Sequence, residues 1–307
     1  MLNRRQALGV IGMSAAALAG GIGEAANPAS GWVDAHSHIW TRDLTRYPLA
    51  NGQGLDDLKP ASFTAEELIQ LAGAHGVTRV VLIQHKPYHG LDNHYITDSI
   101  AQFPGVFSGV ACIEADHAHP EKEMDRLQKL GMRGFRIRPG EGGTPLWRDS
   151  VGMKAMWAHA ARQGTAICPL IGPEDLHEVE TLCRLYPETP VVIDHFARIG
   201  MMGAISEEQV QSLCKLAQFP KVHVKISAYY ALGKKQPPHT ELIPMMQSLI
   251  TAYGCRRLMW GSDCPYQLTT PNTYGDSLKL LTTHSPFLSD ADRQELLKGT
   301  ATRVFFG

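Results

Sequence analysis

The sequence lacks several features that define other classes of protein. It has no excess of one charge, because 29 Lys and Arg residues stand against 30 Asp and Glu residues, for a net charge of −1. Nucleic-acid binding needs a basic surface that displaces counterions, so this balance argues against a nucleic-acid partner. Outside the N-terminal segment, no apolar run reaches the ~20 residues that cross a bilayer. We therefore expect no membrane association after signal cleavage.

Disordered and fibrous proteins are excluded by composition, because the chain is 44% hydrophobic and 19% charged. The six cysteines show no C-x-x-C spacing, and a chain of 307 residues needs no disulfide framework. Cys112 and Cys168 lie in apolar, strand-like runs, where a free Cys behaves as a small hydrophobic residue. We therefore expect the cysteines to be buried thiols.

The first thirty residues have the composition of an export signal. Arg4 and Arg5 precede a weakly apolar run rich in Gly and Ala over residues 9–22, and small residues follow at Gly23 and Ala25. This order is typical of a cleavable secretory signal. The adjacent arginines resemble the twin-arginine signal of bacteria. We predict that residues 1–26 are such a signal and that the protein is periplasmic or secreted.

Eight short segments rich in apolar and β-branched residues recur along the rest of the chain, each bounded by Gly, Pro or a polar turn. Continuous apolar runs such as residues 80–83 favour parallel strands covered on both faces. The predicted strands are 33–38, 79–85, 105–112, 133–138, 165–170, 190–196, 222–227 and 257–263. Helical patterns lie between them, and two of these begin with capping boxes, at Thr64 and Ser206.

This alternation predicts an α/β fold, a (β/α)8 TIM barrel that occupies residues 32–307 as one domain. A doubly wound open sheet is the main alternative, because it also alternates strands and helices. That fold normally carries a Gly-rich phosphate turn after its first strand. Here the first strand ends in the sequence DAHSH instead, which favours the barrel.

Titratable and polar residues gather at the predicted strand ends, where barrel enzymes carry their chemistry. The i, i+2 pairs place His36 with His38, and Arg136 with Arg138, on one face of a strand. Two of the residues have a structural alternative: Lys225 would neutralise a buried carboxylate, and Asp194 would pair with a cation beneath the site. The set comprises His36, His38, Gln84, His85, Arg136, Arg138, Asp194, His195, Lys225, Ser227, Ser262 and Asp263.

Three motifs carry a family resemblance: VDAHSHIW at 33–40, VVIDH at 191–195 and WGSDCP at 260–265. They resemble the amidohydrolase superfamily, in particular its lactonase-like branch, which includes 2-pyrone-4,6-dicarboxylate lactonase and sugar-acid lactonases. The resemblance covers nearly all of the chain after the signal. It implies a TIM barrel and hydrolysis of a lactone or related cyclic ester.

Two catalytic schemes remain open for these residues. His36, His38 and Asp263 would supply three ligands to one divalent ion such as zinc, which activates water. Alternatively Asp263 would be the general base while His195 polarises the carbonyl, with no required metal. The fifth predicted strand offers no Lys, Glu or His, so we expect no binuclear centre. We predict one divalent ion, with zinc preferred.

The basic residues suggest a small anionic substrate. Arg136, Arg138 and Lys225 would bind a carboxylate, and Gln84 or His85 would orient the carbonyl. Tyr229, which follows strand seven, is a further predicted substrate contact. The pyrone dicarboxylate enzyme that the chain resembles has an arginine in this region, so that substrate is disfavoured.

Two other functions fit the sequence less well than lactone hydrolysis does. Metal-dependent decarboxylation is disfavoured because the fifth strand lacks a His. A non-enzymatic periplasmic metal-binding protein fits poorly, because the 14 His residues are scattered along the chain. The oligomeric state is open, and a homo-oligomer is compatible with the sequence.

Overall fold

Eight parallel strands pair side by side in chain order in the computed structural model, which describes residues 31–115, 119–140 and 143–307. The predicted signal, residues 1–26, lies outside the described residues. The strands are β1 (Trp32–Ser37), β2 (Val77–Ile83), β3 (Phe107–Ala111), β4 (Met132–Ile137), β5 (Ala166–Pro169), β6 (Val191–Ile193), β7 (Val222–Ser227) and β8 (Leu258–Gly261).

Backbone hydrogen bonds join the first strand to the segment that follows β8. The amide of His38 donates to the carbonyl of Cys264 at 2.8 Å, and the amide of Asp263 donates to the carbonyl of His36 at 2.8 Å. The buried carboxylate of Asp34 accepts from the backbone amides of His36 and Ser262, which ties the two ends further. The sheet therefore closes on itself, and the prediction of a (β/α)8 barrel is confirmed.

The helices surround the barrel, and two of them begin at the predicted residues: Thr64 forms a full capping box with Glu67, whereas Ser206 provides the side-chain cap without the reciprocal contact among the described residues. Thr64 Oγ1 accepts from the amide of Glu67, and the Ser206 side chain accepts from the amide of Gln209. The α-helices of the described part are α1 (Ala65–Gly73), α2 (Lys86–His89), α3 (His94–Gln102), α4 (Pro120–Lys129), α5 (Pro145–Asp149), α6 (Val151–Gln163), α7 (Leu176–Leu185), α8 (Glu207–Lys215), α9 (Ile243–Tyr253), α10 (Tyr274–Thr282), α11 (Asp290–Gln294) and α12 (Thr300–Phe305).

The core divides at the sheet, because successive strand residues point to opposite faces. One apolar cluster fills the barrel interior with small and branched residues such as Ala35, Val81 and Val192, and Phe305 of α12 packs against it. The larger cluster lies between strands and helices. All six cysteines are free thiols, and five of them are buried as predicted, whereas Cys214 is half-buried. Over the described residues, no helix has the length and apolarity to cross a membrane.

Two strand boundaries differ from the prediction in a way that shapes the site. Strand β6 ends at Ile193 instead of continuing to residue 196, and β8 ends at Gly261. Residues 195–198 and Asp263 have positive φ values between 52° and 60°. This left-handed conformation is uncommon for residues other than glycine and is concentrated at functional sites. Both turns lie at the carboxyl end of the barrel.

Candidate active site

A cavity of about 260 Å³ opens at the carboxyl ends of the strands. Asp263 and His195, the residues in the two left-handed turns, both line it. Among the residues predicted from the sequence, the following line this cavity: His38, Gln84, His85, Arg136, Arg138, His195 and Asp263. His36 lies directly beneath and is fully buried.

Asp263 is at the centre of the arrangement. Its Oδ1 lies 3.5 Å from Nε2 of His36 and 3.4 Å from Nε2 of His38, both longer than an ordinary hydrogen bond. Its Oδ2 accepts a hydrogen bond of 2.8 Å from the Tyr230 hydroxyl and lies 3.8 Å from Nε2 of His195. Burial opposes ionisation, but the surrounding histidines outweigh it and hold the pKa of Asp263 below its usual range. Asp263 is therefore an ionised carboxylate whose Oδ1 atom is available to accept a hydrogen bond or to bind an ion.

The orientation of His38 sharpens this point. Its Nδ1 lies 2.8 Å from the carbonyl oxygen of Ile83, so Nδ1 carries the proton in the neutral ring and donates it there. Nε2 then presents a lone pair towards Asp263 Oδ1. Two acceptors that face each other at 3.4 Å repel unless a proton or a cation lies between them. Ligand histidines characteristically donate their other ring proton to a backbone carbonyl in this way.

His195 approaches Asp263 from the left-handed turn after β6. Its Nδ1 lies 2.8 Å from the hydroxyl of Ser227, at the end of β7. Burial lowers the pKa of His195 to about 4, so the ring is neutral at pH 7. A neutral ring that accepts from Ser227 at Nδ1 carries its proton on Nε2, which faces the cavity and serves as a hydrogen-bond donor.

A second group of charges lies below the first. We call Asp194, Arg136, Lys225 and His36 the ionic cluster, and Asp263, His38, His195 and Tyr230 the mouth cluster. Asp194 Oδ2 accepts from Nε and Nη2 of Arg136 at 3.2 and 2.9 Å. Its Oδ1 lies 3.2 Å from Nζ of Lys225. Burial opposes ionisation of Asp194, but these two cations hold its pKa well below the ordinary value.

The structure places two predicted substrate-binding residues away from the cavity. Lys225 is 0% exposed and pairs with Asp194, which is the structural alternative noted for it above. Tyr229 is also 0% exposed and packs against the rings of Phe196 and His239. The physical reason for Tyr229 is the left-handed residue Ala228 (φ 59°), which starts a short helical turn and directs the next tyrosine, Tyr230, into the cavity.

Two other predicted substrate contacts are partly engaged within the protein. Arg136 reaches the cavity, but its guanidinium already bonds Asp194 and lies 2.9 Å from Nε2 of His36. The amide of Gln84 donates to the backbone carbonyls of Gly90 and Asp92. Arg138, in contrast, is exposed at the mouth and makes no ion pair with a described residue.

Sequence reasoning missed four polar residues that line the cavity: Lys86, Arg198, Tyr230 and Tyr266. Each follows a predicted strand end within a few positions. Tyr266, for example, is three residues after Asp263, and its hydroxyl lies 2.5 Å from Nε2 of His85. The rule that barrel enzymes carry their functional residues at the carboxyl ends of the strands (the strand-end rule) predicts these residues once the first positions of the following loops are included.

The donor chemistry fits one divalent ion. Ligand atoms of His36, His195 and Asp263 lie within 4.8 Å of one another. His38 and Asp263 present facing acceptors, as described above. The Nε2 of His36 is already engaged by Arg136, a cation that competes with a metal for this atom. Of the predicted ligands, His38 and Asp263 therefore have an atom available for an ion, whereas the Nε2 of His36 is shared with Arg136.

The sequence model of the amidohydrolase family matches residues 33–307. Because this match covers almost the whole chain, the protein belongs to the amidohydrolase family. The fold is the barrel that the motifs implied, and the histidines and the aspartate of these motifs lie at the carboxyl ends of its strands.

Several relatives share most of the chain. It is 25% identical over 285 residues to the 4-sulfomuconolactone hydrolase of Hydrogenophaga intermedia, covering 91% of this chain and 89% of the relative. It is 27% identical to the L-fucono-1,5-lactonase of Burkholderia ambifaria, covering 76% and 80%. A solved structure from Pseudomonas putida, described as a 2-pyrone-4,6-dicarboxylic acid hydrolase, superposes with a TM-score of 0.75 at 25% identity, covering 90% and 97%.

Proposed function

We propose that this amidohydrolase opens a lactone, or a related cyclic ester, that carries a negative charge. The observation that carries the proposal is Asp263, an ionised carboxylate at the base of a cavity rimmed by cations, with one oxygen that accepts no hydrogen bond from a described residue. The relatives named for lactone hydrolysis support the choice of substrate class.

In the mechanism, Asp263 Oδ1 takes a proton from a water molecule as the water oxygen attacks the lactone carbonyl carbon. His195 donates its Nε2 proton as a hydrogen bond to the carbonyl oxygen, which gains negative charge. The ring C–O bond then breaks, and Asp263 returns the proton to the departing alkoxide. The product is a hydroxy acid, with all atoms of water and lactone accounted for.

The charge balance of the cavity supports an anionic substrate. Lys86, Arg138 and Arg198 line it, whereas Asp263 is the sole acidic member among its described lining residues. Arginine presents a planar fork that matches a carboxylate, and Arg138 at the exposed rim is free for this role. We assign first contact with the substrate anion to Arg138 in place of Lys225.

We further propose that the bound ion is zinc, held by His38 and Asp263 with His36 as the third ligand. When bound, such an ion lowers the pKa of water and polarises a carbonyl. Titration of chelator-treated protein with zinc in a calorimeter tests this without reference to activity. We expect one site, and a loss of binding in His38→Ala. Absence of binding in the wild type would contradict the metal and leave Asp263 as the sole activator.

Export by the twin-arginine route stays a proposal based on the N-terminal sequence. Arg4 and Arg5 before a short apolar run support it. N-terminal sequencing of protein from the periplasm would show a start near residue 26. An intact N-terminus in that fraction would contradict cleavage.

The reaction is tested with purified protein and a panel of lactones with and without a ring carboxylate. Proton release at constant pH measures the rate for each. We expect hydrolysis of the carboxylated members and a kcat/KM at least tenfold lower for their neutral counterparts. Equal rates for both groups would refute anion recognition, and no hydrolysis of any member would refute the proposed function.

A further inference from the structure

A second cavity adjoins the first, over the ends of β3 and β4. Its volume is about 290 Å³, slightly larger than the 260 Å³ of the first cavity. Lys86, Arg136 and Arg138 line both cavities, so the two meet at this set of cations. A molecule whose anionic group contacts Arg138 therefore has one part over Asp263 and room for another part on the opposite side.

The walls of the second cavity beyond these cations are mostly apolar. Trp147, Met153 and Cys112 are buried and form its inner part. Leu146 and Leu91 complete the opening, although 54% and 38% of their surface is exposed to water. Large apolar side chains that are left exposed beside a concave apolar surface are typical of a binding site.

Beyond the three cations that it shares with the first cavity, the polar groups of the second cavity do not favour a further anion. Glu114 is exposed at its edge and carries a negative charge, which repels one. Ser150 Oγ accepts a hydrogen bond of 3.1 Å from the amide of Met153 and so caps α6. Away from the three shared cations, the remaining lining therefore favours an uncharged, apolar occupant.

We propose that this second cavity binds an apolar substituent carried by the substrate itself. This inference rests on the proposed function, because it places the lactone ring over Asp263 and the anionic group at Arg138. The substrate class is then an amphiphilic lactone with a carboxylate and an alkyl or aryl group. Specificity for that group comes from Trp147, Met153 and Leu146, none of which touches the reacting atoms.

The test uses five-membered lactones that carry one ring carboxylate and a methyl, propyl or pentyl substituent. Burial of each methylene contributes about 0.8 kcal/mol, which corresponds to a rise in kcat/KM of about fourfold per methylene until the cavity is filled. The readout is the ratio of kcat/KM for the pentyl over the methyl compound. This ratio is measured within each variant, so a general loss of activity cancels.

Leu146→Asp places a charge in the cavity wall and should lower the pentyl-to-methyl ratio at least tenfold. Leu185→Asp is the matched control, since Leu185 is 58% exposed on α7 and lines neither cavity. We expect this control to keep the ratio of the wild type.

Three results would overturn the inference. A wild-type ratio near one, with the methyl lactone still hydrolysed, refutes the second cavity as a subsite and leaves the proposed function intact. A ratio that rises in the wild type and is unchanged in Leu146→Asp places the substituent elsewhere. Failure to hydrolyse any member of the series refutes the proposed function, and this inference with it.

Discussion

Asp194 and Asp263 follow β6 and β8 and contact opposite nitrogens of one imidazole. Oδ1 of Asp194 lies 3.4 Å from Nδ1 of His36, and Oδ1 of Asp263 lies 3.5 Å from its Nε2. Both carboxylates are buried, yet their surroundings differ. Asp194 is paired with Arg136 and Lys225, whereas the carboxylate of Asp263 contacts histidines and a tyrosine.

The difference separates a structural carboxylate from a reactive one. In the ionic cluster, two full positive charges compensate the cost of burying Asp194 and leave it no tendency to accept a proton. In the mouth cluster, Asp263 contacts histidines and a tyrosine, with no Lys or Arg among its described hydrogen-bond or ion-pair partners, and it faces open space. A carboxylate of this kind can accept a proton from water in the cavity. We therefore expect substitutions in the mouth cluster to change catalysis and those of Asp194 and Lys225 to change stability.

The largest effect expected is that of Asp263→Asn. This change keeps the size of the side chain and removes the proton acceptor, so kcat should fall by about 10²–10⁴-fold, the usual contribution of a general base. Steady-state rates on a carboxylated lactone measure it, with circular dichroism as the check on folding. Near-normal turnover would remove Asp263 from the mechanism, with or without a metal.

In the ionic cluster, Lys225→Met should lower the free energy of unfolding by about 3 kcal/mol, because it leaves a buried carboxylate with one cation fewer. Urea denaturation measures this loss. Arg126→Met is the control: the Arg126–Glu123 pair, at 2.7 Å, is exposed on α4, and such surface pairs contribute at most about 1 kcal/mol. Equal losses in the two variants would show that burying the ion pair does not increase its contribution to the free energy of unfolding.

His85 tests the mouth region through pH. Burial lowers the pKa of His85 to about 2, so the folded state keeps this ring neutral where the unfolded state, near 6.5, binds a proton. Its stabilising contribution is complete above pH 6.5 and is lost as the pH falls, by about 2 kcal/mol at pH 5. His85→Gln cannot titrate, so its unfolding free energy should fall less between pH 7 and 5. An equal fall in both proteins would contradict a neutral His85.

The smallest effect separates two neighbouring tyrosines. Tyr230→Phe removes the hydroxyl that donates to Asp263 Oδ2 at 2.8 Å, and kcat should fall by about tenfold, as expected for a hydrogen bond to a charged group. Tyr229→Phe is the matched control, since the buried hydroxyl of Tyr229 has no hydrogen-bond partner among the described residues. Its activity should equal that of the wild type. A loss of the same size in both variants would indicate a packing effect in place of a contact with Asp263.

The barrel could be predicted from the sequence because its signals are local. Apolar runs at regular spacing predicted all eight strands, and Thr64 and Ser206 predicted where two helices begin. The strand-end rule also predicted that His36, His38, His195 and Asp263 would lie at one end of the barrel. These inferences need only the period of a strand and the direction of parallel strands.

Only the tertiary structure decided how deep each side chain lies at that end of the barrel and in which direction it points. Lys225 and Arg136 lie on strands whose ends point to the cavity. Both side chains nevertheless lie below its mouth and pair with Asp194, which follows a different strand. The left-handed conformation of Ala228 buries Tyr229 and directs Tyr230 into the cavity instead, and no pattern in the sequence predicts this turn. Strand periodicity determines the face on which a side chain lies, but its height along the barrel and the charges beside it depend on contacts between residues far apart in the chain.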